Sequence, residues 1–551
     1  MKYLVITLFL ISGLHYGQTQ TPDDIKITSE KGKTKVKVDD SGKLEVNVSP
    51  KDLDKLKSEG SVSYSDFGAK GNGKTDDIDA IAATHAVANK YGIPVKADGN
   101  AKYYIGGNER TAIIMTDTDF GTAEFTIDDT NVENRQAPIF QVTSTLESFP
   151  LEGISTLRRN QTKIDASLPS SCLITVTNSN VKRYIRFGPN QNNGSSQTDI
   201  FIVDKDGNVD KNTPIIWEFN QITEINALPM DETTLTIKGG IFTTIANQAE
   251  SKYTYYSRGL AIKRSNVLVE GLEHRVTGEG EHSAPYGGFI IARDCGNVTV
   301  RNTILTGHKT YRTIGSAGVP VSMGTYDISI NRALNVSFIN CRQTNDINDR
   351  TYWGIMGSNY SKNLMYDSCV FSRFDAHMGV ANATIRNSTL GHMGINAIGT
   401  GTLLIENSEI RGGTLVNLRS DYGSTWQGDF IIRNCTFVPR NGDEISSASL
   451  IGGRNSGQHD FGYTCYMPET ITIENLRIND ENHAEDYEGP TIFGDLNPDM
   501  TDDSYQQKFP YIITRELILK LNHNSSRSGK PLRLSDNMYM FRNVEITTIE
   551  P

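Results

Sequence analysis

The sequence has no CxxC pair among its six cysteines, no long apolar run after its first residues, no excess of basic charge, and almost no helix signal beyond residue 91. Each absence excludes something. Without paired cysteine spacing, a zinc site has no basis. Without a later apolar stretch of about 20 residues, no second segment is long enough to span a bilayer. A formal net charge of −11 argues against nucleic acid as a partner, which needs a basic footprint. That charge also gives no long-range attraction to an acidic glycan, so any such binding must come from a local patch of Arg, Lys and His. Tryptophan is scarce, with three in the chain, and two of them fall in one region discussed below.

Met1-Lys2-Tyr3 followed by the apolar Leu4 to Leu14 reads as a signal peptide over residues 1–18, with cleavage near Gly17 or Gln18. No cysteine ends the apolar run, so the expected product is secreted or periplasmic rather than lipid-anchored. Residues 19–60 read as a polar extension. Thr34 to Val38 and Leu44 to Val48 alternate like a small hairpin, and Lys51 to Lys57 reads as a charged linker. An exported chain permits disulfides, but Cys341, Cys369 and Cys435 recur at one place in successive repeats. Stacked, buried thiols are therefore expected over bridges.

Tyr64-Ser65-Asp66-Phe67-Gly68-Ala69-Lys70-Gly71-Asn72-Gly73-Lys74-Thr75-Asp76-Asp77 runs into a helical pattern with Ile78, Ile81, Ala82 and Ala86 on one face and Asp76 or Thr75 as cap. This segment resembles the N-terminal signature of the pectate-lyase superfamily. The resemblance implies an all-β fold over residues 61–551, a right-handed parallel β-helix whose first coil is covered by a short N-terminal capping helix.

The middle of the chain repeats itself. Val298–Thr303, Val336–Cys341, Leu364–Cys369, Ala383–Ser388, Leu403–Ser408, Phe430–Cys435 and Ile471–Leu476 each alternate and then reach an Asn or Asp, usually followed by a small residue. Alternation sends every second side chain into a lumen. Asn tolerates a left-handed corner and can bond the Asn one coil away. The spacing from Asn387 to Asn407 fits one compact coil; longer spacings predict inserted loops.

Aligning the repeats by these corners places His308, Asp346, Arg373, His392, Arg411 and Arg440 on one following face. His377 and His392, in Gly-flanked His-Met pairs, are expected side by side. Asp349-Arg350-Thr351-Tyr352-Trp353 and Arg419-Ser420-Asp421-Tyr422 through Trp426 supply loops whose rings suit sugar faces and whose arginines suit carboxylate or sulfate. Arg411 and Arg440 read as solvated or paired with neighbouring Asp and Glu, and His308 as either groove wall or plain surface.

A β-helix with such a groove resembles the polysaccharide lyases, which implies β-elimination beside a uronic acid. On that resemblance His377 or His392 is the expected base and Tyr352 the acid. Arg373, Asn396 and Arg419 neutralise the carboxylate, and Arg350, Trp353, Tyr422, Trp426 and His308 line the groove. Glycosaminoglycans such as chondroitin sulfate, dermatan sulfate or hyaluronan come first as substrates, then pectin and alginate. No cofactor is favoured. Calcium, if bound, would fall to Asp346, Asp349 and Asp375. Two rivals remain: a glycoside hydrolase using paired Asp residues, and a non-catalytic glycan-binding adhesin of tailspike type.

Overall fold

The computed structural model describes residues 26–28, 35–38, 43–520 and 524–549; the expected signal peptide lies outside them. Strands β1 (Lys26–Thr28), β2 (Lys35–Val38) and β3 (Leu44–Asn47) form a small sheet in which β2 and β3 pair antiparallel, as the hairpin reading requires. The expected charged linker is instead a helix, α1 (Pro50–Glu59). Ser49 Oγ accepts the Asp52 N–H, Pro50 fits the first turn, and Gly60 closes the helix at φ 73. Leu53 and Leu56, one turn apart, pack on the core.

Helix α2 (Ile78–Tyr91) covers the first coil, and its Ile78, Ile81 and Val87 share one core with Phe125 and Phe140. Its N-cap is Asp77 rather than Asp76 or Thr75. The Asp77 carboxylate accepts the backbone N–H groups of Lys70 (2.6 Å) and Gly71 (3.1 Å), tying the glycine-rich loop down.

Beyond α2 the chain winds into stacked coils joined in one 29-stranded sheet. Neighbouring coils pair in parallel, and one lumenal column can be followed along them: Val267, Val298, Val336, Leu364, Ala383, Leu403, Phe430, Ile471 and Leu517. All are buried, each aliphatic member contributing roughly 1.5–3 kcal/mol if fully withdrawn from water. The corners behave as the repeats predict. Asn302, Asn340, Asn387, Asn407, Asn434 and Asn475 have φ between 49 and 55, and their amides stack, as in Asn340 Nδ2 to Asn302 Oδ1 (2.7 Å) and Asn475 Nδ2 to Asn434 Oδ1 (2.8 Å). On the coil of Asp367 the left-handed residue is Ser368, with Asp367 Oδ1 accepting from Asn387. A second ladder, unanticipated from the sequence, runs Asn266, Asn297, Asn335, Asn363 and Asn382. All six cysteines are buried and unbridged.

Residues 61–551 are not one uniform solenoid. Between the coil strands ending at Val142 and starting at Leu235, an antiparallel four-stranded sheet is inserted: Phe149–Pro150, Cys172–Arg183, Ser195–Val203 and Glu224–Pro229. It has its own core around Leu157, Ile174, Phe201 and Phe219. It docks on the solenoid flank through a fully buried Lys362–Asp199 ion pair (2.8 Å) and an Arg186–Asp421 pair (2.8 Å). Among the described residues no helix is long and apolar enough to cross a membrane.

Candidate active site

The strand Val370–Arg386 carries the densest chemistry. Phe374 and Ala376 enter the core, so alternation turns Arg373, Asp375 and His377 outward. Outward here does not mean exposed: Arg373 and Asp375 are 3% and 0% accessible, roofed by loops. Asp375 pairs with Arg373 (2.8 Å) and lies 4.0 Å from Arg419, while Arg419 and Arg186 both hold Asp421 (2.7 and 2.8 Å). Three arginines thus face two carboxylates, leaving one net positive charge. Burial pushes the Asp375 carboxyl above its ordinary range, and Arg373 and Arg419 only partly offset that. Two glycines make the packing possible. A Cβ on Gly354 would strike the Arg373 side chain, and one on Gly357 would press tightly on the ring of Tyr326.

Beside this cluster lies a cleft of ≈ 380 Å³ whose polar lining includes Lys263, Arg293, Tyr326, Asn359, Asp375 and His377. His377 Nδ1 sits 2.7 Å from Asn359 Oδ1, and its ring meets Tyr422 edge-on, centroids 5.2 Å apart. With a carbonyl oxygen as partner, Nδ1 carries the proton and Nε2 the lone pair. Burial, then Arg419, Arg373 and Arg186, hold the imidazole well below its usual titration range, so it stays neutral. Burial raises the Tyr326 phenol, which stays protonated. Burial and neighbouring Arg293 lower the Lys263 ammonium, opposed by Asp294.

The structure gathers some expected site residues and disperses others. His377, Asp375, Arg373, Arg419 and Tyr422 come together, and Trp353 joins them, its ring 5.5 Å from the Arg373 guanidinium. His392 does not. Arg373 pairs with Gly394, and His392 lies on the Leu390 side of that register while His377 lies on the Ala376 side. Its backbone N–H donates to Ile347 O, and burial lowers the imidazole, opposed by a hydrogen bond with the Tyr352 backbone. Tyr352 lines a different cleft, with Glu273, Arg275 and Arg342, so it cannot serve His377. Arg350 is exposed and paired with Asp443. Asn396 is nearly buried, accepting from Asn417 Nδ2 and donating to Met393 O.

Two expected groove residues are interior. Trp426 is fully buried over Gly399, its Nε1 donating to Gly401 O (2.9 Å), because the glycine leaves room for the indole in the lumen. His308 is 2% exposed, with Nε2 3.1 Å from Asp327 and its ring stacked on Tyr286, so it belongs to a buried network with His274. Neither can touch a sugar. The three acids named for calcium do not converge. Asp346 and Asp349 cap their own loop at Asn348 and Thr351, and Asp375 is held by arginine. Among the described residues no group of three or more His, Cys, Asp or Glu is arranged to hold a metal.

Lys263, Arg293, Tyr326, Asn359 and Arg186 were not picked out by the sequence reading. Arg293, Asn331 and Asn359 occupy one register column, so extending the corner alignment one strand upstream would have found two of the five. Arg186 comes from the loop between the inserted strands Cys172–Arg183 and Ser195–Val203 and left no such signal.

No protein-family model matches the chain. A capsule KL64-specific depolymerase of Klebsiella phage P510 is 31% identical over 100 residues, an alignment covering 16% of this chain and only 10% of that protein. Among solved structures, tailspike gp61 of Pseudomonas phage phi297 superposes with a TM-score of 0.52 at 13% identity, covering 88% of this chain and 84% of that one. Tailspike gp49 of Pseudomonas phage LKA1 gives 0.50 at 14% identity with the same coverage. At such identities the likeness is one of architecture: this chain is similar to the phage tailspikes in its parallel β-helical fold.

Proposed function

We propose that the chain is an exported lyase that binds an acidic, uronate-bearing polysaccharide on a right-handed β-helix and cuts it by β-elimination. The observation that carries this is the neutral His377, its Nδ1 spoken for by Asn359, in one cleft with Lys263 and Arg293. The two cations meet the uronate carboxylate and stabilise the enediolate that forms when C5 loses its proton. His377 Nε2 takes that proton. The C4–O4 bond breaks as the C4=C5 bond forms, and Tyr326, kept protonated by burial, donates to O4. Solvent then removes the proton from the imidazolium and returns one to the phenolate. The depolymerase name of the phage protein that shares a 100-residue stretch with this chain supports a depolymerase over a plain adhesin.

Carboxylate and sulfate both suit this cation pair, so glycosaminoglycans lead the substrates, followed by pectin, alginate and uronate-bearing capsules. Calcium has no role in this reading, because Asp375 is already paired with Arg373. The test is digestion of a panel of these polymers with and without chelator, following near-ultraviolet absorbance of the unsaturated product. Absorbance that rises with wild type, persists under chelation and vanishes with His377→Ala supports the proposal. Saturated products alone would sink it.

A second reading rests on the raised Asp375 carboxyl, which could serve as the acid of a glycoside hydrolase with Asp421 as partner. Arg419 lies against both carboxylates, which opposes the proton transfer that chemistry needs. Under this reading the products are saturated, and Asp375→Asn abolishes cleavage.

A further inference from the structure

We infer that the seam between the inserted sheet and the solenoid is a second saccharide site, which binds one or two rings of an acidic sugar without cleaving them. The seam encloses a cleft of ≈ 310 Å³, within the size range of small-molecule sites. It is separate from the His377 cleft. Tyr184 lies over Gly379, its hydroxyl 3.0 Å from where a Cβ would stand, and packs with Tyr422, Met378 and Tyr360 as a partition between the two.

Two features of its lining point to a ligand. The first is a pair of donors without acceptors. Trp217 Nε1 and Arg183 Nε are both shielded from solvent, and neither has a hydrogen-bond partner in the chain. Buried donors are nearly always satisfied, and those left open call for a missing acceptor. The Arg183 guanidinium lies over the Trp217 ring, 5.0 Å from its centroid, so both donors belong to one stacked pair of side chains. The second is the balance of charge and aromatic surface. Arg159 and Arg183 line the cleft against one acid, Glu218, whose carboxylate already accepts the Arg159 backbone N–H (3.0 Å). Trp217 and Tyr463, centroids 6.1 Å apart, offer rings for the apolar face of a sugar.

Arg159 also fastens the seam, reaching Gln427 and Thr400 across it. The cleft therefore exists only while the insert is docked, and both walls contribute. An acidic sugar suits it better than a neutral one: ring oxygens or hydroxyls can accept from the indole, and a carboxylate can accept from Arg183 Nε, the Nη atoms being held by Gly462 O and Gln197 Oε1. The assignment rests on the reading that the chain handles acidic glycans, but it does not depend on His377 chemistry.

The test uses full-length protein labelled with 5-fluorotryptophan, which gives three fluorine signals, the Trp217 signal being assigned by its loss in Trp217→Phe. The probes are sodium glucuronate, a saturated glucuronate-containing disaccharide, and maltose as the neutral control. We expect the acidic probes to shift the Trp217 signal saturably in wild type and equally in His377→Ala, with maltose at least about tenfold weaker. Arg183→Gln should bring the acidic probe down to the level of maltose. In calorimetry on the His377→Ala background, Trp217→Phe should weaken the acidic disaccharide about fivefold, the size of one lost hydrogen bond, with the unfolding midpoint kept as evidence of folding. A Trp217 signal that does not move, or that moves only when His377 is present, overturns the second site. Failure of the lyase assay alone leaves these shifts in place, so the two readings fail separately.

Discussion

His377 Nδ1 and Asn359 Oδ1 lie 2.7 Å apart, an imidazole on one coil fixed by an amide on the coil before it. This contact sets both the orientation and the tautomer of the proposed base. Asn359→Ala should lower kcat by about 10- to 100-fold with little change in KM, while His377→Ala should lower it by about 10²- to 10⁴-fold. Steady-state kinetics on one uronate polymer checks both. Equal losses in KM would assign Asn359 to substrate binding instead.

The same residue makes a prediction about pH. Burial and three arginines depress the His377 pKa well below 6.5, so the base form persists in acid, and the acid limb of kcat/KM should lie well below that value. Asn359→Asp places a carboxylate against Nδ1, which favours the imidazolium and should move the limb upward. A limb near 6.5 in wild type, unmoved in the variant, would remove His377 from the base role.

Trp426 and the cleft cations should separate stability from binding. Trp426→Ala empties the lumen over Gly399 and should cost about 3–5 kcal/mol with KM unchanged in whatever still folds. Arg293→Gln, on the cleft wall, should raise KM for a uronate polymer while leaving binding of its carboxyl-reduced form unchanged. Denaturant unfolding and inhibition by the two polymers distinguish the effects.

The solenoid was legible in the sequence because its corners are a local constraint. An Asn that must adopt positive φ and bond its neighbour is visible in the chain itself. Where a different residue takes the corner, as Ser368 does beside Asp367, the alignment slips by one. The active region was legible only in part, because it depends on long-range register. Between Phe371 and Arg373 the strand advances two positions while its neighbour advances from Leu390 to Gly394. Gly391 presses on the Ile347 backbone there, with no space for a Cβ. That local excess carries His392 off the row of Arg373, and its spacing from His377 is too short for the coil register to bring the two histidines onto one row. The inserted sheet was missed for another reason: its strands alternate like the coils around them, and only antiparallel pairing tells them apart.

The last prediction concerns His308, which the sequence offered as a groove residue and the structure buries. Its Nε2 lies 3.1 Å from Asp327, whose carboxylate also holds His274 Nδ1 (2.8 Å) and accepts the Thr306 N–H (2.9 Å). Burial opposes charge on His308, but hydrogen bonds and charge from Asp327 and Glu279 overcome it and raise the imidazole to about 9. The folded value lies above the unfolded value of about 6.5, so the native state binds more protons in between. The stabilisation is fully present below about pH 6.5 and is lost as pH rises through about 9, about 3 kcal/mol in all. Asp327 responds in the opposite direction. Burial alone would raise its carboxyl, but His274 and His308 hold it well below the usual range, so its contribution is lost only in strong acid. We therefore expect His308→Gln to be less stable than wild type at pH 6, with the gap closing by about pH 10. Urea unfolding across that range checks it. A gap that stays constant with pH would mean that His308 is neutral in the folded protein and that packing on Tyr286 alone accounts for its burial.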